Sequence, residues 1–306
     1  MINNFQTKAY LPSLKRFIYL KELTNSHYVN ILKYIQNNDI VKLNEYFDFI
    51  INDLTDGSIS LEKMNRIDRF CLLLHIRIVN ISSELTLNLK CSETKNDYTG
   101  KIDLNEILQE LVDLNVRITK KMQISDKVQL KLSIPRQLHN ENSDMLEMIS
   151  QCIEYINVNG TVLNRNETTT HYRLKVLENL PGSCMSKIFD FINTAQQPFD
   201  NFVVLEDNNP HIQKIPQKHK ISLFDNSMFE FIQLCYTESL SNFYQLIYNL
   251  CSLNFSPEYI MKISPVEAMI YIQLRREEIE IEKEQSKKSN ESSRAIPGLQ
   301  TPDFNL

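Results

Sequence analysis

Six histidines and six cysteines are the first residues to weigh for chemistry: His27, His75, His139, His171, His211 and His219, and Cys71, Cys91, Cys152, Cys184, Cys235 and Cys251. A zinc site shows close pairs such as CxxC or HxxxH, because several ligands must converge on one ion. No histidine here stands four residues from another. Cys91 alone sits in a strand–turn–strand of the kind that holds a zinc ribbon. Its turn, Ser92 to Tyr98, supplies no second ligand. The scattered cysteines read as reduced core residues. His75 lies inside an apolar helix and reads as a hydrogen-bonded core histidine, not as a base.

Nucleophiles and paired carboxylates come next. Gly182-Ser183-Cys184 lacks the GxSxG frame and follows a proline, so it reads as the turn before a helix. Glu277, Glu278, Glu280, Glu282 and Glu284 are numerous enough for acid–base work, but they alternate with cations on a solvated helix. They read as a solubilising or partner-facing stripe. Glu267 reads as a helix cap. Lys15, Arg16, Phe17 and Tyr19 come nearest to a nucleic-acid patch, yet two cations are too few, and the segment reads as an exposed strand edge. The expectation is no enzyme, with no catalytic, cofactor-binding or metal-binding residue.

Composition narrows the classes further. The chain has 306 residues, only five of them glycine, and neither a GxGxxG nor a Walker-type loop. Phosphate-cradling loops need closely spaced glycines, so nucleotide chemistry by the common routes is not expected. Lysine plus arginine is 33 and aspartate plus glutamate is 38, a net charge of -5. No global attraction for nucleic acid or an anionic membrane follows. Apolar runs such as Phe70–Leu74 are about five residues, against the roughly 20 that span a bilayer. Met1–Phe5 lacks the basic start of a secretory signal, so a soluble protein is expected.

The elements that must position these residues are legible by period. Lys15–Leu20 predicts a strand after the turn at Tyr10–Ser13. Thr24 or Asn25 caps a predicted helix over 26–37, with Val29, Leu32 and Ile35 inward. A second helix is predicted over 39–53 through Leu43, Phe47 and Ile50. Asp56-Gly57 breaks it, and Ser60 is predicted to start a third helix reaching Leu74. Strict alternation predicts strands at Leu85–Leu89 and Val128–Ile134, with Lys101–Leu104 as the first one's return. Helices are predicted near 105–114, 142–150 and 184–194. Glu154–Leu163 and Thr168–Val176 read as strands, with Asn159-Gly160 as a hairpin turn. Three prolines make 196–220 extended or loop. Leu240 to Cys251 forms a wide apolar face. Ser264-Pro265-Val266-Glu267 reads as a capping box opening a helix with an apolar face through Met269, Ile270 and Leu274. That helix then becomes the charged run Arg275–Glu284. A flexible tail is expected from Ser286.

The expected fold is α+β: a helical N-terminal region with a β-hairpin over 1–120, a mostly β middle over 121–220, and a helical region over 221–285. The tail is 286–306. The charged helix extends beyond any core of its own. Arg275, Arg276, Glu277, Glu280, Ile281 and Glu284 are therefore candidate partner-contact residues.

The order of these segments resembles a known family. A Leu-Pro-Ser turn and short strand lead into Ile67-Asp68-Arg69-Phe70-Cys71-Leu72-Leu73-Leu74-His75-Ile76-Arg77. A strand over Glu84–Cys91, a polar turn and Gly100-Lys101-Ile102-Asp103-Leu104 follow. This is similar to the baseplate hub proteins of T4-like bacteriophages, best over 20–110 and more weakly over 221–285. No short motif carries it through 115–220. Where some relatives have paired cysteines in the strand turn, only Cys91 stands here. The resemblance implies a non-enzymatic building block of a contractile-tail baseplate, located in the virion. Its partners would be other hub and tail proteins, in several copies of a symmetric assembly. The family also includes a hub assembly factor, so a transient chaperone is the alternative reading. A helical adaptor unrelated to phage is the third.

Overall fold

The computed structural model describes residues 7–90, 97–114, 118–139, 144–199, 203–206 and 218–294. The chain opens with strands β1 (Thr7–Leu11) and β2 (Arg16–Leu20), paired antiparallel. Period two sends Ala9, Leu11, Ile18 and Leu20 inward and leaves Lys8, Phe17 and Tyr19 outside. The turn falls on Pro12–Lys15, two residues later than expected, because Tyr10 and Leu11 pair with Phe17 and Arg16. Helix α1 (Asn25–Gln36) starts where the Thr24 hydroxyl accepts from His27 N–H at 3.3 Å. Helix α2 (Ile40–Leu54) buries Leu43, Phe47 and Ile50 completely, as their spacing predicts. Asp56 and Gly57 then take positive φ and stop it.

Ser60 caps only a single 3-10 turn, Leu61–Lys63. Helix α3 (Arg66–Asn80) starts at Arg66, where Asn65 and Asp68 cap each other's amides at 3.0 and 3.2 Å. Strands β3 (Glu84–Lys90) and β4 (Asp97–Asp103) pair antiparallel, and α4 (Leu104–Asp113) follows. The return strand thus starts inside the expected turn. Cys91 lies outside the described residues.

The middle is built on a four-stranded antiparallel meander: β5 (Thr119–Ser125), β6 (Val128–Ser133), β7 (Ile153–Val158) and β8 (Thr161–Asn164). Met122, Leu130 and Ile156 lie opposite one another across three strands and form one buried row. Asn159 and Gly160 both take positive φ, as a tight hairpin turn requires. Helix α5 (Met145–Cys152) separates β6 from β7. The segment predicted as a strand over Thr168–Val176 is helix α6 (Thr170–Glu178) instead. Its threonines are not strand formers here. Thr169 Oγ1 caps by accepting from Tyr172 N–H at 3.1 Å. Arg173 and Leu177, four apart, are buried together. Helix α7 (Gly182–Gln196) covers the sheet through Cys184, Ile188 and Phe191.

Strands β9 (Val203–Glu206) and β10 (Lys218–Lys220) form a small antiparallel pair. Helices α8 (Ser227–Cys235), α9 (Leu240–Ser252), α10 (Pro257–Lys262) and α11 (Pro265–Arg294) complete the chain. The architecture is α+β, with an N-terminal hairpin, a central sheet and C-terminal helices. Helix α11 continues past Ser286 to Arg294, and 295–306 lie outside the described residues.

Helix α3 is the axis of the main core. It packs against β1, α2, α4 and α8, and Phe70 through Leu74 are buried. A helix enclosed on all sides must satisfy its polar side chains internally. Asp68 accepts from Ser13 N–H at 2.9 Å and from the Ser13 hydroxyl, which ties the first hairpin to the helix start. Burial pushes its carboxyl up, against the pull of these donors. Asp68→Ala leaves the amides of Ser13 and Asn65 without that acceptor. A loss of about 2–3 kcal/mol is expected in urea unfolding. Ser13→Ala, which removes one hydroxyl, is expected to cost about 1 kcal/mol.

Candidate functional site

The candidate contact residues lie on α11. Thirty residues of helix span about 45 Å. Ser264 Oγ accepts from Glu267 N–H at 3.4 Å, so the serine caps the helix as its position predicts. The Glu267 carboxylate has a different role from the expected cap. It accepts hydroxyls from Tyr271 at 2.9 Å and Tyr259 at 3.4 Å, which joins α11 to α10. The side of α11 that packs holds Ala268, Tyr271 and Ile272, against α9 and α10. Met269, Ile270 and Leu274 were expected to face inward and are exposed instead. The physical reason is phase: Ala268 and Ile272, four apart, occupy the packed side and turn the other set outward.

That outward stripe continues into the charged run. Ile270, Leu274, Glu277, Ile281 and Glu284 follow one another at spacings of four and three, so they share one face. Glu280 borders it. Ile281, at 56% exposure, stands among three carboxylates. Arg275 does not join this face. It turns toward the packed side and pairs along the helix with Glu278 at 3.0 Å and Glu282 at 3.4 Å. Glu277 accepts from Gln273 at 3.1 Å. Arg276 is exposed at the stripe's margin. The structure thus brings together Glu277, Glu280, Ile281 and Glu284, and separates Arg275 from them. Ile270 and Leu274 belong to the same stripe. Their four-residue spacing is legible in sequence, but the choice of which face packs is not.

Catalytic arrangements can be tested directly. Among the described residues, no group of three or more His, Cys, Asp or Glu side chains is placed to hold a metal ion. No helix there is long and apolar enough to cross a membrane. Cys71, Cys152, Cys184 and Cys235 are free and buried. Burial raises the thiols of Cys152 and Cys235 to about 12, so neither is a thiolate at neutral pH. A cleft of about 380 Å³ lies between the Glu62–Asn65 turn and the start of β5. Its walls include Lys131 and Glu154, paired at 3.0 Å. An ion pair thus stands across this surface cleft.

His75 differs from its expected state. Its Nε2 is buried without a hydrogen-bond partner among the described residues, because its neighbours on the enclosed helix are apolar. Burial holds its pKa below the usual value, and does the same for His27. A ring with a lowered folded pKa stabilises the fold above its unfolded value of about 6.5. That stability is lost as pH falls, since the unfolded chain takes the proton first. Asp68 and Glu22, with raised carboxyls, act in the opposite sense at lower pH. His75→Leu isolates the histidine contribution. Unfolding measured between pH 7 and pH 5 is expected to lose less stability in the variant than in the native chain. An equal loss in both would mean that His75 is not held neutral.

One family model matches the chain over residues 2–205, that of the T4 bacteriophage base plate protein. The match takes in the stretch over 115–205 that no short motif carried, and it stops before the C-terminal helices. No curated protein and no solved structure matches the chain. The matched segment holds the first hairpin, the buried α3 and the four-stranded meander, which is two thirds of the sequence. On that match the chain belongs to the T4 bacteriophage base plate protein family.

Proposed function

We propose that the chain is a structural component of the hub of a contractile-tail baseplate, acting through protein–protein contacts and not through catalysis. The exposed stripe on α11 carries this reading. Three aliphatic side chains and three carboxylates lie along a helix whose packed side, among the described residues, is the opposite one. A partner helix with apolar residues at matching spacing and a basic rim would cover Ile270, Leu274 and Ile281 and pair with Glu277, Glu280 and Glu284. The family supports location in the tail and partners among the other baseplate proteins. The hub as the site within the baseplate is our inference.

Sedimentation of baseplate intermediates from infected cells tests it. The chain is expected to travel with the hub-sized intermediate, and to do so in cells that cannot build the outer wedges. Association with wedge intermediates alone would remove the hub from the reading while leaving the baseplate in place.

A further inference from the structure

The first hairpin has an open edge that α11 and the family match do not account for. Lys21 N–H, on the outer side of the chain leaving β2, donates to Leu54 O at 2.8 Å. The two-residue alternation of a strand puts the amides of Phe17 and Tyr19 on that same side. Strand β2 pairs only with β1, and no other backbone bond reaches this edge among the described residues. A groove of about 370 Å³ runs along it, walled by Arg16, Phe17, Tyr19 and Lys21 on one side and by Leu54 and Asp56 on the other.

The side chains beside this edge form a platform. Phe17 is 65% exposed and Tyr19 is 56% exposed. Tyr10 packs on Phe17 with ring centroids 5.1 Å apart, and Lys8 sits 5.4 Å above the Tyr19 ring. Natural edge strands are guarded by charge, bulges or a covering loop, and a long open edge with exposed aromatics is a template for another strand. Beyond the Lys21–Leu54 bond at one end, the guard here among the described residues is positive charge. Lys8, Lys15 and Arg16 lie on the hairpin with no carboxylate partner among the described residues, while Lys21 pairs with Asp56 at 2.6 Å.

We infer that the β2 edge receives an extended, acidic segment of a partner protein as a third strand. The partner's main chain would bond the amides and carbonyls of Phe17 and Tyr19, and its apolar side chains would lie on the aromatic platform. Its carboxylates would meet Lys8, Lys15 and Arg16. Two copies of this hairpin edge to edge would bring all three cations of each together, and the one carboxylate of the groove wall, Asp56, is already paired with Lys21, so the charge disfavours a second copy. Nucleic acid is disfavoured as well, because few cations line the platform while backbone groups stand open at ladder spacing. This surface is separate from the α11 stripe and does not depend on where in the baseplate the chain sits.

Amide hydrogen exchange on the full chain tests the inference with a defined probe, a heptapeptide alternating glutamate with valine and threonine. The Phe17 and Tyr19 amides are expected to exchange freely in the chain alone. They are expected to slow at least tenfold with millimolar peptide, and the same peptide with lysine for glutamate should leave them unchanged. Tyr19→Pro, tolerated where the lost amide faces outward on an edge strand, should abolish protection at Phe17. If that variant misfolds, the native chain with the two peptides still decides. No slowing with the acidic peptide, or equal slowing with both, overturns the inference. So does protection that rises with protein concentration alone, which assigns the edge to a second copy. Equal protection by an oligothymidine would assign it to nucleic acid.

Discussion

Replacing Arg66 with methionine is expected to destabilise the fold by about 4 kcal/mol or more, the largest loss of any single substitution proposed for this chain. Arg66 is fully buried, yet no carboxylate among the described residues forms an ion pair with it. Its guanidinium binds backbone instead: Nε donates to Gln137 O at 2.9 Å, and Nη1 to Leu223 O and Asp225 O at 2.7 Å each. The backbone of Arg66 donates to Pro135 O at 3.0 Å. One residue therefore joins the start of α3, the link between β6 and α5, and the loop before α8. Burial lowers its pKa to about 10, which still leaves a cation at neutral pH. Methionine fills part of the volume but leaves three carbonyls without a donor, each costing about 1–3 kcal/mol. Lysine keeps the charge on a single nitrogen and is expected to recover less than half of the loss. Urea unfolding with an unchanged m-value is the measurement. A change under about 1 kcal/mol would show that the three carbonyls find other donors.

Ending the chain after Arg275 is expected to do the opposite: stability stays within about 1 kcal/mol, and incorporation into baseplates falls at least tenfold. The removed residues lie beyond the packed side of α11, whose buried contacts are Ala268, Tyr271 and Ile272. They include Ile281 and the carboxylates around it. Each aliphatic side chain buried in a partner contributes about 1.5–3 kcal/mol, so losing Ile281 from an interface is enough for a tenfold effect. Arg275→Ala is the control. That side chain pairs with Glu278 and Glu282 of its own helix, and exposed pairs of this kind contribute under about 1 kcal/mol. Assembly of the control is expected to be unchanged. Complementation of an infected host with each variant, followed by counting of completed tails, reads both results. Normal tails from the truncated chain would remove α11 from the interface.

Short-range signals in the sequence were legible wherever burial made period and face coincide. Leu43, Phe47 and Ile50 predict the buried side of α2, and Leu130 and Leu132 predict that of β6, because one face of each is enclosed. Thr24 or Asn25 predicts the start of α1, with Thr24 the cap in the structure, because a cap is a local hydrogen bond. What stayed illegible depends on distant partners. Thr168–Val176 looks like a strand by its β-branched residues, and it becomes a helix because Arg173 is buried against Ser150 O at 3.1 Å. Strand β5 has little apolar alternation and forms because β6 pairs with it. The same holds for the candidate interface. The charge run from Arg275 to Glu284 is plain in the sequence. Its division into an outward stripe and an Arg275 paired along its own helix needed the phase of α11 on α9, which only packing sets.

Quantitative mass spectrometry of washed particles of the phage that encodes the chain, with infected-cell lysate as reference, tests the central claim most directly. A structural hub subunit is expected at one constant copy number per tail, unchanged by further washing and matched to the symmetry of its neighbours. Abundance in the lysate with absence from completed particles would contradict it, and would make the chain a transient assembly factor.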